Sequence, residues 1–234
     1  MEVGKLMKLL LASAASATFF LLAAAPTPLD QARDHQDLSA LAKLLDSSAA
    51  TADKQPNNAQ VQYQAALAAS YLAEVHVELH ERKPARDAAE RGIPFAEKAV
   101  SLKPDSGEYY RILGTLYGQA VSDLMSGLRY GARAKDAIAK AVQMAPKSAT
   151  VYVARGIGNL YLPAQLGGGP AAAIPDFRKA IQIDPKFAEA WIYLGVALRT
   201  DKNDEEARKA FTKALELNPD RFWVKQLLAK LPAK

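Results

Sequence analysis

Apolar residues recur along most of the chain at intervals of three and four, with Ala abundant among them. No sustained alternating run of Val, Ile or Thr occurs, so the pattern predicts helices and no sheet. Leu38, Leu41, Leu44 and Leu45 share one face of a helix expected over Leu29–Leu45, with Asp37 near a capping position, and the polar stretch Thr51–Asn58 follows as a turn. Ala59–Glu81 reads as a long helix with Tyr63, Leu67 and Tyr71 on one stripe and Ala65, Ala66, Ala69 and Ala73 as small contacts beside it. Its expected partner, Ala85–Leu102, contains Gly92 and Pro94, which predict a kink or a split.

The most regular pattern comes late. Trp191, Leu194, Gly195 and Leu198, then Ala207, Phe211, Ala214 and Pro219, fit the spacing W-x2-L-G-x2-Y, A-x3-F, A, P over residues 188–221. Trp191 and Leu194 would face a partner helix, Gly195 would allow a close approach, and Pro219 would end the second helix. In the turn between, Asn203 is the expected left-handed residue, and Asp204, Glu205 and Glu206 place carboxylates at the next helix's positive end. Such a hairpin is apolar on both broad faces and needs neighbours. Pro185 lies 34 residues before Pro219, Pro146 lies 39 before that, and Pro104 and Pro56 lie 42 and 48 further back, so earlier hairpins carry insertions.

The second unit repeats the motif with Tyr110, Leu113, Gly114 and Tyr117, then Ala134, Ile138, Ala141 and Pro146. Its extra residues, Gln119–Arg133, are open to two readings. One is a first helix extended by two turns and a flexible connection broken by Gly127 and Gly131. The other is a basic-apolar lip, with Leu124, Met125 and Leu128 beside Arg129 and Arg133, facing a partner or a membrane. In the third unit, Tyr152 and Gly156 keep the motif, Arg155 and Asn159 depart from it, and Ala173, Phe177, Ala180 and Pro185 complete it. Gly167-Gly168-Gly169-Pro170 superficially suggests a phosphate cradle. However, no Lys-Ser/Thr follows and no strand precedes, so turn chemistry is the better account. After Pro219, Arg221–Leu231 carries Phe222, Trp223, Leu227, Leu228 and Leu231 on one side, as a capping helix would.

The chain thus resembles tetratricopeptide-repeat proteins. The resemblance implies an all-α fold, a solenoid of about four helical hairpins over 59–221, with an N-terminal packing helix in 29–58 and a C-terminal capping helix in 222–234. The Pro163-x3-Gly167-Gly168 connection is similar to that of exported bacterial members and, through this one loop, of the T component of tripartite ATP-independent periplasmic transporters. Family members bind other proteins in a concave groove lined by first-helix positions 5, 9 and 13. These are Tyr63, Leu67, Tyr71; Arg111, Thr115, Gln119; Val153, Ile157, Tyr161; and Ile192, Val196, Thr200. The binding candidates among them are Tyr63, Tyr71, Arg111, Thr115, Gln119, Ile157, Tyr161 and Thr200. The alternative is that inserts or the N-terminal helix fill the groove and these side chains are core. Members that grip chaperone tails carry Lys and Asn at positions 5 and 9, a pairing absent here, so an apolar or aromatic segment suits the groove better than a terminal carboxylate.

Composition changes this picture at one end. Lys5 and Lys8 precede an uncharged run, Leu9–Ala25, ending in three alanines, as in a secretory signal peptide; Pro26 after the obvious cut keeps an uncleaved anchor open. The expected location is therefore periplasmic or secreted, or the inner membrane through residues 1–25. There is no cysteine for a disulfide or for acylation. The formal charge is +5, or +4 without Glu2, Lys5 and Lys8, and bases alternate with acids along the helices, which speaks against nucleic acid as a partner. His76 and His80 stand four apart, but Glu78 points elsewhere and no third ligand can be named, so no metal site is expected. No catalytic residues and no cofactor are expected either. The leading reading is a non-enzymatic, exported scaffold for a protein or peptide partner; the alternative is a periplasmic transporter accessory that binds a small ligand.

Overall fold

The computed structural model describes residues 25–232, so nearly all of the apolar N-terminal run lies outside it. The described residues form eleven α-helices, one short 3-10 turn and no strand. Helices α1 (Pro28–Asp34) and α2 (Leu38–Lys54) precede four antiparallel pairs. These are α3 (Ala59–Glu78) with α4 (Arg82–Leu102), α5 (Gly107–Gln119) with α6 (Leu124–Met144), α7 (Ala149–Tyr161) with α8 (Pro170–Ile183), and α9 (Ala188–Thr200) with α10 (Asp204–Leu217). Helix α11 (Phe222–Ala229) packs against α10. Each pair stacks on the next, first helix against first helix, as hairpins with two apolar faces must.

Capping explains where most helices start. Thr27 and Asp30 exchange hydrogen bonds ahead of α1, and Asp37 accepts from the Ala40 amide at 2.9 Å to open α2. Asp123 and Ser126 form the same reciprocal box for α6, while Asn58, Ser106 and Asn203 accept from first-turn amides of α3, α5 and α10.

Five expectations need correction. The single N-terminal helix is two, because Gln36 turns left-handed at φ 56° between them. Helix α4 runs unbroken through Pro94, since Ala88, Ala89, Ile93 and Ala96 are buried on both sides of it and tertiary contacts outweigh one missing amide donor. The extra residues of the second unit lengthen its second helix rather than its first: α5 stops at Gln119 and the cap at Asp123 starts a 21-residue α6 that passes through Gly127 and Gly131. In the last turn Lys202, not Asn203, is left-handed at φ 62°, leaving Asn203 free to cap. Phe222 is 46% exposed, although Trp223 and Leu227 pack as the capping pattern requires.

The core falls into two clusters, one from Ala32 to Ala137 and one from Ala149 to Leu231. In the second, Phe177 and Phe211 are completely buried over Gly156 and Gly195, where a Cβ would stand 2.5 Å from the ring in each case. Gly195 therefore makes room for an aromatic ring of the partner helix rather than for its backbone. Trp191 Nε1 and the Tyr152 hydroxyl each donate to the carbonyl of the proline six residues earlier, Pro185 and Pro146, at 3.0 and 3.1 Å.

Candidate functional site

Helices α3, α5, α7 and α9 line the inner face, and the N-terminal helix lies upon it. The Tyr71 hydroxyl donates to Asp30 of α1 at 3.2 Å, and the Arg33 guanidinium sits 4.7 Å above the Tyr71 ring. Arg33 also pairs with Glu189 of α9 at 3.1 Å, so one arginine of α1 touches both ends of the array. From the other terminus, Arg221 enters the same space with no exposed surface, pairing with Glu78 and, at 2.8 Å, with Glu74. Asn218 donates to Asp34 at 2.7 Å and Gln36 to Glu78 at 2.7 Å.

This seam holds four carboxylates, Asp34, Glu74, Glu78 and Glu189, against two guanidinium groups. Burial pushes the Glu74 carboxyl up to about 7 in spite of Arg33 and Arg221, and it raises Glu78 for the same reason. Burial works against the charge of Arg221, yet Glu189, Glu74 and Glu78 outweigh it and hold the guanidinium above its ordinary value. Among the described residues this is the densest set of buried charges, and sequence reasoning missed it. Apart from Glu189, the partners of Arg221 lie 143 to 188 residues away, and a lone Arg between Asp220 and Phe222 carries no local signal.

The groove residues divide into two sets. Tyr63 donates to Glu108 at 2.8 Å, and Arg111 grips the same carboxylate with two hydrogen bonds of 2.7 and 2.6 Å. Burial pushes Glu108 up, but the hydrogen bonds and charge of Arg111 and the Tyr63 hydroxyl outweigh it, holding the acid below its usual range. Gln119 donates to the Ser70 carbonyl at 3.1 Å and ties α5 to α3, while the Thr115 hydroxyl is buried without a partner. Tyr63, Tyr71, Arg111 and Gln119 thus serve internal bonds. Ile157 is half-buried against the second cluster. Thr200 is exposed with its hydroxyl bonded to the Val196 carbonyl, and Tyr161 is 58% exposed.

Three other features settle into structure. Helix α3 ends at Glu78, so His80 lies beyond it at φ 63° and shares no helical face with His76, whose Nδ1 is 2.6 Å from Glu81. No group of three His, Cys, Asp or Glu among the described residues is placed to hold a metal. Gly167 and Gly169 are left-handed, at φ 83° and 99°, and the amides of Gly168 and Gly169 donate to the Pro163 and Asn159 carbonyls, leaving them unavailable to an anion. Arg155 and Asn159, the departures in the third unit, both bind the buried Asp176.

Stacked helical hairpins with a shared inner face define an α-solenoid. The tetratricopeptide repeat family model matches residues 188–221. The fold is that of a thermophilic TPR protein of Thermus thermophilus, with a TM-score of 0.56 over 87% of this chain and 97% of that one, at 20% identity. Small glutamine-rich tetratricopeptide repeat-containing protein 2 of Mycosarcoma maydis is 34% identical over 105 residues, 45% of this chain and 28% of the relative. Protein O-mannosyl-transferase TMTC1 of Homo sapiens is 31% identical over 136 residues, 56% of this chain and 14% of the relative. The chain therefore spans less than a third of the length of these curated relatives. Residues 188–221 thus match a tetratricopeptide repeat, and the described chain has the fold of a tetratricopeptide-repeat array.

Proposed function

We propose that the protein is a non-enzymatic scaffold that holds a partner's apolar or aromatic segment at the open part of its inner face, beside Ile157, Tyr161 and Thr200. The observation that carries this reading is the exposure of Tyr161: a large amphipathic ring 58% open to water on a stripe whose other members are engaged or buried. Tyr63, Tyr71 and Arg111 are held in bonds to Glu108 and α1 and are not the residues that would touch the partner. Tyr161→Ala should weaken the co-purifying partner about tenfold or more while leaving thermal stability unchanged, as loss of an interface anchor does. Unchanged recovery of the partner with Tyr161→Ala would place the interaction elsewhere.

The run Leu9–Ala25 behind Lys5 and Lys8 supports export, with the mature chain in the periplasm or held to the inner membrane by residues 1–25. The intact mass of the protein recovered from a membrane or a periplasmic fraction distinguishes a cleaved leader from an anchor, and recovery from the cytosol with residues 1–25 intact would defeat both.

A further inference from the structure

Helix α6 begins with a stretch that no other part of the described chain covers. Leu124, Met125 and Leu128 are 79%, 73% and 73% exposed, values unusual for large apolar side chains on a well-formed helix. The stretch is not frayed: the reciprocal bonds of Asp123 and Ser126 fix its start, and the Tyr130 hydroxyl donates to Glu90 of α4 at 3.2 Å. α6 has 21 residues where α8 and α10 have 14, and seven extra residues lengthen it by about 10 Å at 1.5 Å per residue.

The connections within hairpins all emerge at one edge of a stacked array, and this edge collects the exposed apolar side chains. Leu79 and Val121 flank the tip, at 37% and 42%, and Leu166 in the next connection is 69% exposed. Arg86 bridges the first two connections, 3.5 Å from both the Ser122 hydroxyl and Asp123. Arg82 and Arg129 add positive charge at the same place, beside the carboxylates of Glu81, Asp87 and Asp123, and residues 162–170 carry no charge at all. The fourth connection is different, with Asp201, Asp204, Glu205 and Glu206 against Lys202.

Bare apolar tips backed by arginines are the chemistry of an interfacial contact, with side chains in the acyl boundary and guanidinium groups among anionic headgroups. The second observation is where the apolar N-terminal run stops. Leu9–Ala25 ends three residues before α1, a tether of about 10 Å at full extension, so insertion of that run would hold the fold against a bilayer. Among the described residues no helix is long and apolar enough to cross a membrane, so the lipid contact of this edge is superficial.

We propose that this edge, led by Leu124, Met125 and Leu128, seats on a lipid surface with Arg82 and Arg129 at the headgroups, leaving the inner face open to the side. This contact is independent of the Tyr161 site. The chain has no cysteine, so a single introduced thiol takes one label. An environment-sensitive fluorophore is attached to the full-length chain in Leu124→Cys, Met125→Cys or, at the far end of α6, Gln143→Cys. The probe surface is vesicles of phosphatidylcholine with about a third phosphatidylglycerol. Labels at 124 and 125 are expected to shift to the blue and to resist an aqueous quencher when vesicles are added, and the label at 143 is expected to do neither. Adding Leu128→Asp to the Met125→Cys chain is expected to abolish the shift. If the chain floats with the vesicles while positions 124 and 125 stay as quenchable as 143, the N-terminal run alone holds it and the proposal fails. It also fails if those positions are shielded without vesicles in proportion to protein concentration, since a second copy then covers the edge.

Discussion

The last hairpin and the first solve the same packing problem in opposite ways. In α9–α10 the glycine is on the first helix, Gly195, and the Phe211 ring of the second helix fills the space above it. In α3–α4 the glycine is on the second helix: a Cβ on Gly92 would stand 2.5 Å from Ala69 Cβ and 3.0 Å from Leu116 of the next hairpin. The lengths differ too, 13 and 14 residues at one end against 20 and 21 at the other. A 13-residue α3 would stop at Tyr71; the added turns carry Glu74 and Glu78, the carboxylates that receive Arg221. Minimal hairpins stack, and in this chain the extra turns have separate jobs. Those of α3 close the array on its own C-terminus, and those of α6 make the exposed tip.

The largest effect should come from breaking that closure. Arg221→Ala leaves Glu74 and Glu78 buried without their cation, a defect worth about 3–5 kcal/mol when one partner of a buried pair is removed. Chemical denaturation measures it. A loss below about 1 kcal/mol would mean the seam is not closed in solution.

Gly195→Leu comes next, at about 3 kcal/mol, because a branched side chain would have to share space with the fully buried Phe211 ring. Gly92→Ala should cost less, about 1 kcal/mol. The Ala69 Cβ is fixed to its backbone and the helices must part slightly, but alanine returns some helix propensity. Equal losses for the two would contradict the inverted packing.

Proton linkage sharpens the same contrast between the ends. Glu74 titrates near 4.5 unfolded and about 7 folded, so between those values the folded chain holds a proton that the unfolded chain has lost. Stability falls as pH rises through that window, is lowest above it, and is fully regained below 4.5. The expected change between pH 5 and pH 8 is on the order of 2 kcal/mol, read from denaturation midpoints. Glu108 works the other way: its lowered value gives stability that is present above its unfolded range and lost as pH falls below it. Stability that rises between pH 5 and pH 8 would contradict a raised Glu74 carboxyl in the fold.

The two ends also differ in how far they can be read from the sequence. Trp191, Gly195, Phe211 and Pro219 act within one hairpin, at fixed spacing, and local rules place each of them. Arg221 and Arg33 act across the whole chain, and periodicity carries no information about a partner 143 residues away. The pattern assigns the extra turns of the second unit to the wrong helix because Gly127 and Gly131 look like breaks. The start signal is nonetheless present, in an Asp and a Ser three residues apart. In the same way the pattern fuses α1 to α2, since Gln36 is not a residue that announces a left-handed turn.

The smallest prediction concerns a turn in which the two ends agree. After α3 and after α9 the chain leaves by the same motif. The Glu81 amide donates to the His76 carbonyl and the Asn203 amide to the Leu198 carbonyl, each reaching back five residues around a left-handed residue, His80 at φ 63° and Lys202 at φ 62°. Neither is glycine, so both carry the strain of a Cβ in that region, while glycine would add freedom to the unfolded chain. The strain relieved is the larger, and His80→Gly and Lys202→Gly should each stabilise the protein by about 0.5 kcal/mol. The gains should add, because the sites sit in separate hairpins with no shared partner. A stabilisation at Lys202 with a loss at His80 would show that the imidazole has a task after all, and the contact of His76 Nδ1 with Glu81, at 2.6 Å in the same turn, would be the place to look.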